Sequence, residues 1–340
     1  MDTFTGLRSC IRLIGFSLIV LSAVAFCLCD VPARAQEQPQ YTQEEYKAYQ
    51  AVAAETDPVK KAALAADFLR DRPQSTLRPH VLGEYQNMMK GLEKEEKWTT
   101  VINAGEHLIS AVTDDILTIS MLATAYQKTK NNAKFVAFGE KVFHASPNPN
   151  IAYYLAKSYL EMKNDSKFLY WGEKTVGLMP NNYEILLDMT KRYGEARQWG
   201  QATKYGQMCV KAFQGATKPE GTPDKTWKDY GTHLHATCYY IMGTAAMETK
   251  NYKGAIPNLE AATKYYVRNQ MAYYHLGHAY WQNNQIDLAM KNFAKAYLLG
   301  GPSASASKQY LDNLYKSTHQ QQLTGIERVL NKAKEELRGP

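Results

Sequence analysis

Lys134-Phe135-Val136-Ala137-Phe138-Gly139-Glu140-Lys141 is echoed further on by Lys167-Phe168-Leu169-Tyr170-Trp171-Gly172-Glu173-Lys174. Both octets read Lys-Phe-x-x-x-Gly-Glu-Lys. Moving outward, Gly105-Glu106 precedes the pair and Gly206-Gln207 follows it, so four glycines stand 34, 33 and 34 residues apart. A fixed period of this length marks stacked supersecondary units, each too small to bury its own apolar face.

A second signature lies between the glycines: an apolar residue, a small one, two variable positions and an aromatic. It occurs as Leu122-Ala123…Tyr126, Leu155-Ala156…Tyr159, Met189-Thr190…Tyr193 and Leu276-Gly277…Tyr280, while Met242-Gly243…Ala246 lacks the aromatic. From Thr190 to Gly243 the interval is 53, one period plus an insertion of 19 residues. Each unit holds two apolar-periodic segments of about a dozen residues, which is helical length. Polar turns such as Lys130-Asn131-Asn132 and Lys163-Asn164-Asp165 divide them. Pro147, Pro149, Pro180 and Pro302 separate several units, because a helix rarely runs through the residue before proline. The pattern predicts an all-α chain of helix-turn-helix hairpins.

On these residues the sequence resembles the tetratricopeptide repeat (TPR) family. The fullest copy, Gln270 to Pro302, carries Tyr273, Leu276-Gly277, Tyr280, Ala289, Phe293, Ala296 and Pro302, and the copy before it carries Tyr239, Met242-Gly243, Tyr252, Ala255, Leu259 and Ala262. The middle copies depart from the family pattern. Gly105, Gly139, Gly172 and Gly206 stand where a large residue is usual, and Phe135 and Phe168 stand where a small one is, a swap that conserves volume across a packed seam. The resemblance implies a right-handed α-solenoid of TPR-like hairpins over residues 44–302, six to seven in number, with a loop insertion near 215–224. Capping helices and a tail would fill 303–340. It also implies a concave groove lined by the first helix of each hairpin, where a protein or peptide partner would lie. Offsets from the small residue place Tyr153, Lys157, Lys191, Tyr240, Tyr274, His278 and Trp281 on that face. Tyr153, Tyr240 and Tyr274 recur at one offset and read either as a ladder for an extended peptide or glycan, with Trp281 as anchor, or as packing between hairpins. The family's carboxylate clamp pairs Lys with Asn; Lys157 and Lys191 have no Asn at the matching places, so that specificity is not expected.

The chain begins with a separate object. Arg8 and Arg12 precede an apolar run from Leu13 to Cys29, and Ala33-Arg34-Ala35 is an A-x-A cleavage sequence. Residues 1–35 read as a signal peptide and 36–43 as a polar leader, which implies export to the periplasm or outer membrane of a bacterium. The competing reading is an uncleaved anchor, the only membrane span expected in the mature chain. Of 340 residues, 45% are hydrophobic and 21% charged, which excludes disorder and an integral membrane protein as a whole. The net charge of +7 falls to +6 without residues 1–35 and is interspersed in sign, which speaks against a nucleic-acid partner. Cys209 and Cys238 remain in the mature chain and could pair or stay as buried thiols.

Catalytic and metal signatures are poor. His233-x-His235 and His275-x-x-His278 lack companion ligands at suitable offsets, although Cys238 follows His235 by one turn. No cofactor, metal or catalytic residue is expected. Two alternatives remain: a membrane-tethered envelope assembly factor, and a glycan-binding or glycan-processing solenoid. The last would draw on Glu161, Glu195 and Glu248, which recur near the groove rim.

Overall fold

The computed structural model describes residues 41–338, all of whose regular elements are α-helices. The segment at 1–35, the first five residues of the polar leader and the last two of the tail lie outside the described residues. The helices run in pairs: α1 (Gln43–Ala54) with α2 (Pro58–Asp71), α3 (Arg78–Lys94) with α4 (Trp98–Ala111), α5 (Ile116–Lys128) with α6 (Asn132–Ala145), and α7 (Pro149–Glu161) with α8 (Asp165–Leu178). They continue as α9 (Tyr183–Glu195) with α10 (Trp199–Gln214), α11 (Asp224–Glu248) with α12 (Tyr252–Tyr265), α13 (Gln270–Gln282) with α14 (Ile286–Leu299), and α15 (Ala304–Thr318) with α16 (Ile326–Arg338). Each odd-numbered helix from α1 to α11 also packs on the next odd-numbered one, so first helices line one continuous face. The architecture is an α-solenoid of TPR-like hairpins.

Local chemistry sets the helix ends. Thr42 makes a capping box with Glu45, so α1 starts inside the stretch expected to be leader. Asp57, Asp115, Asn148, Asn182 and Asn269 each accept a backbone N–H at the start of their helices. The turn inside successive hairpins has one recurring device. Glu96, Lys130, Lys163, Arg197, Lys250 and Asn284 all take the left-handed conformation, with φ between 55° and 59°. The following N–H then reaches back to a carbonyl in the last turn of the first helix, as Asn164 does to Tyr159 at 2.9 Å.

The glycine period is a close-approach device between hairpins. A Cβ added to Gly105 would lie 2.7 Å from Leu122, to Gly139 3.0 Å from Leu155, to Gly172 2.9 Å from Met189 and to Gly206 3.0 Å from Met242. Each glycine sits on a second helix, and each partner is the apolar residue of the signature on the next first helix. In the two copies closest to the family pattern the relation is internal: Gly243 meets Leu259 and Gly277 meets Phe293 of its own hairpin, both at 2.6 Å. The large-for-small swap therefore moves the tight contact from within a hairpin to between hairpins.

The glutamate after the glycine, like Glu260 after Leu259 at the equivalent place, has its own partner. Glu106, Glu140, Glu173 and Glu260 each accept a hydrogen bond from the signature tyrosine of the next first helix: Tyr126, Tyr159 (2.7 Å), Tyr193 (3.0 Å) and Tyr280. Burial, then the carboxylate, push all four tyrosine hydroxyls well above their ordinary pKa. The α10–α11 seam carries Gln207 and Ala246 at these two places, so both halves of the pair are missing together.

The insertion divides into a loop at 215–223 and an N-terminal extension of α11, which reaches 25 residues against 13 for its neighbours α9 and α13. Trp227 and Tyr230 of the extension pack on Phe213 and Tyr183, with Phe213 and Trp227 centroids 4.6 Å apart. At the far end α15 and α16 cover α14, burying Leu311, Leu314, Tyr315 and Ala333, while Lys291 and Lys295 pair with Glu336.

Candidate partner-binding groove

The face shared by the first helices is stitched laterally. Tyr153 on α7 donates to Glu184 on α9 at 2.5 Å, and one turn along Lys157 bonds Asp188 at 2.9 Å. Burial and the Glu184 carboxylate drive the Tyr153 hydroxyl far above its usual range, so it stays a proton donor. Tyr153, Tyr154 and Tyr183 also line a cleft of about 590 Å³ where the α8–α9 turn meets α7.

The other two clefts on this face flank Tyr240. One, of about 580 Å³, is walled by Asp229, His233, Thr237 and Tyr240 of α11 and floored by Tyr266 and Asn269 before α13. The other, of about 240 Å³, lies between α9 and α11 and is lined by Lys191, Gly194, Trp199, Tyr240, Ile241 and Thr244. Gly194 lets α9 approach α11 closely here: a Cβ there would come within 3.1 Å of Ile241. Thr244 Oγ1 is buried beside Tyr240 in this cleft. Tyr240 and Lys191 thus line one cleft. The extension of α11 supplies Asp229 and His233 of the outer wall, and Thr237 follows them; none was among the expected set. The groove offsets are counted only within one repeat length, so the added turns of α11 fall outside them.

Tyr274, His278 and Trp281 are drawn into a different cluster. Tyr310 of α15 packs against all three, with its ring 4.5 Å from that of His278, and Phe293 closes the other side. Trp281 keeps its outer surface exposed. Burial, with His278 beside it, pushes the His275 pKa down to about 4, which keeps the imidazole neutral. Among the described residues Tyr240 and Tyr274 meet through His275, whose ring lies 6.1 Å from the first and 5.6 Å from the second, whereas Tyr153 packs on Tyr154. The recurrent offset therefore yields one aromatic station at Tyr153 and a second, joined through His275, at Tyr240 and Tyr274.

The three rim carboxylates are each engaged locally. Glu161 accepts from Gln127 and Asn132, Glu195 pairs with Arg192 at 2.7 Å, and Glu248 lies 3.9 Å from Arg197. His235 turns away from the groove, stacked on Tyr265 with its Nδ1 2.7 Å from the Gly231 carbonyl. Among the described residues no group of three or more His, Cys, Asp and Glu is placed to hold a metal ion. No helix among them is long and apolar enough to cross a membrane.

Residues 272–299 match the tetratricopeptide repeat family model. No curated protein matches the chain. Among solved structures, MamA from Desulfovibrio magneticus RS-1 is similar at 19% identity and a TM-score of 0.40, over 56% of this chain and 95% of that one. PilF of Pseudomonas aeruginosa is similar at 11% and 0.40, over 65% and 89%. A tetratricopeptide repeat protein from Parabacteroides merdae is similar at 12% and 0.34, over 80% and 97%. At these identities and scores the likenesses carry no argument about function.

Proposed function

We propose that this tetratricopeptide-repeat protein is an exported, non-catalytic scaffold that takes an extended segment of a protein partner in the groove of its first helices, centred on Tyr240. The observation that supports this most is the pair of clefts on either side of that ring, with the α11 extension as a wall. A half-buried tyrosine offers a large apolar face at low entropic cost, and flanking clefts suit alternate side chains of an extended chain. Lys191 and Asp229 at opposite ends would fix direction. The hydrogen bonds at Tyr153 and Lys157 stiffen the same face, so little ordering would be needed on binding. Export rests on the signal-peptide reading of residues 1–35, and a mature N-terminus at Gln36 would distinguish a released protein from a tethered one.

The test is crosslinking capture from the native envelope with the wild type, Tyr240→Ala and Ile241→Asp. A specific partner held by the wild type and lost from both variants, with helical content unchanged, is the expected outcome. Equal recovery by all three would remove the groove from the account.

A further inference from the structure

Cys209 on α10 and Cys238 on α11 are fully buried free thiols. Two tight contacts bracket them. On one side Gly206 meets Met242, with a Cβ-to-Cγ separation of 3.0 Å. On the other, Gly231 lies against Phe213, where an added Cβ would come within 2.4 Å of the ring. The two helices are thus antiparallel here, and glycines on both sides of the cysteines draw the backbones together. Cys209 lies one turn beyond Gly206 and Cys238 one turn before Met242, which places the thiols opposite each other on the intervening rung. The neighbouring Cys238 side chain, and then burial, push the Cys209 thiol up. Cys209 Sγ also lies 3.4 Å from the Tyr183 carbonyl.

This is the seam whose tyrosine–glutamate bond is missing. Of the five seams from α4 to α13, the other four carry one. The same seam bears the insertion at 215–223 and borders the smaller cleft beside Tyr240.

We propose that Cys209 and Cys238 are a redox-sensitive latch, a site of intramolecular disulfide formation by disulfide-bearing oxidants that fixes α10 against α11. In the reaction one cysteine, as thiolate, attacks a sulfur of the oxidant and releases one thiolate, giving a mixed disulfide. The second cysteine attacks the sulfur of the first and releases the other. The Cys209–Cys238 bond forms, the oxidant's S–S bond breaks, and the two cysteine protons end on the two released thiols. Burial of both sulfurs means that exchange proceeds when the seam opens, so the bridge records opening and then prevents it. An exported protein meets such oxidants, and a single bridge here closes a loop that spans the insertion. The latch does not depend on what the groove binds.

The experiment uses the mature chain from Gln36, purified reduced and exposed to oxidised glutathione in native buffer, then alkylated and mapped by peptide mass spectrometry. The expected result is a peptide pair joined through Cys209 and Cys238. Amide hydrogen exchange within α10 and α11 should slow on the order of a hundredfold, with α5 to α8 unaffected. Recovery of both cysteines alkylated, or of separate glutathione adducts on each, would overturn the proposal. The Cys238→Ala variant should retain its helical content and carry one glutathione adduct at Cys209, without the slowed exchange. Slowed exchange in that variant would also overturn it.

Discussion

Replacing Gly105 by alanine should destabilise the seam between the second and third hairpins, although alanine is the better helix former. The new methyl would lie 2.7 Å from both Cγ and Cδ2 of Leu122, a side chain with 1% of its surface exposed and so no free direction to move. Overpacking of this kind costs about 1–3 kcal/mol, against roughly 1 kcal/mol gained from helix propensity. The net loss should be up to about 2 kcal/mol. Gly83, in the interior of α3, has nothing within 4 Å of where its Cβ would be, so Gly83→Ala should stabilise by up to about 1 kcal/mol. The two substitutions are chemically identical and should differ in sign. Repeat arrays need not unfold in one step, so hydrogen exchange resolved by helix is the suitable assay. Protection should fall in α4 and α5 for Gly105→Ala and rise in α3 for Gly83→Ala. In the double variant Gly105→Ala/Leu122→Ala the losses should be less than additive, since the methyl then fills part of the cavity. If Gly105→Ala stabilised as much as Gly83→Ala, the close approach would not exist and the explanation of the glycine period would fail.

Glu140 accepts from Tyr159, from Lys167 and, at 3.2 Å, from the indole N–H of buried Trp171; Glu140→Ala should cost roughly 1–3 kcal/mol by orphaning donors, and Glu140→Gln less. Lys163→Gly should stabilise by about 1 kcal/mol, read as a higher urea midpoint, because a side chain at φ 56° is strained and glycine is not. His275 stays neutral in the folded chain down to about pH 4, whereas the unfolded chain takes up that proton near 6.5. Stability from this group should therefore be level above pH 6.5 and fall by roughly 3 kcal/mol as pH drops towards 4, and His275→Gln should flatten that part of the profile.

Much of the fold was legible because its signals are local and repeat. Prolines and Asn or Asp caps mark where helices start and stop, and the spacing from Gly105 to Gly206 counts the units without knowledge of their arrangement. The pairing of each glutamate with a tyrosine about twenty residues on was visible only as an unexplained letter in the octets, since it needs the rotation between hairpins. The absence of both partners at Gln207 and Ala246 was likewise two separate irregularities until the seam was seen. At the candidate site the offsets assigned Tyr240 and Lys191 to one face but could not anticipate that Tyr310, from a hairpin beyond the regular repeats, packs over Tyr274 and His278. The α11 wall was missed for a similar reason: an insertion has no register in the repeat that precedes it.

The most direct measurement of the groove claim is site-specific photo-crosslinking in the native envelope, with a photoreactive amino acid placed in turn at His233 in the α11 wall, at Lys191 on α9 and at the exposed Lys204 on α10. Partner adducts from His233 and Lys191, with none from Lys204, are predicted. Adducts from Lys204 with none from the other two would mean that partners dock on the second helices and that the face centred on Tyr240 is not the binding surface.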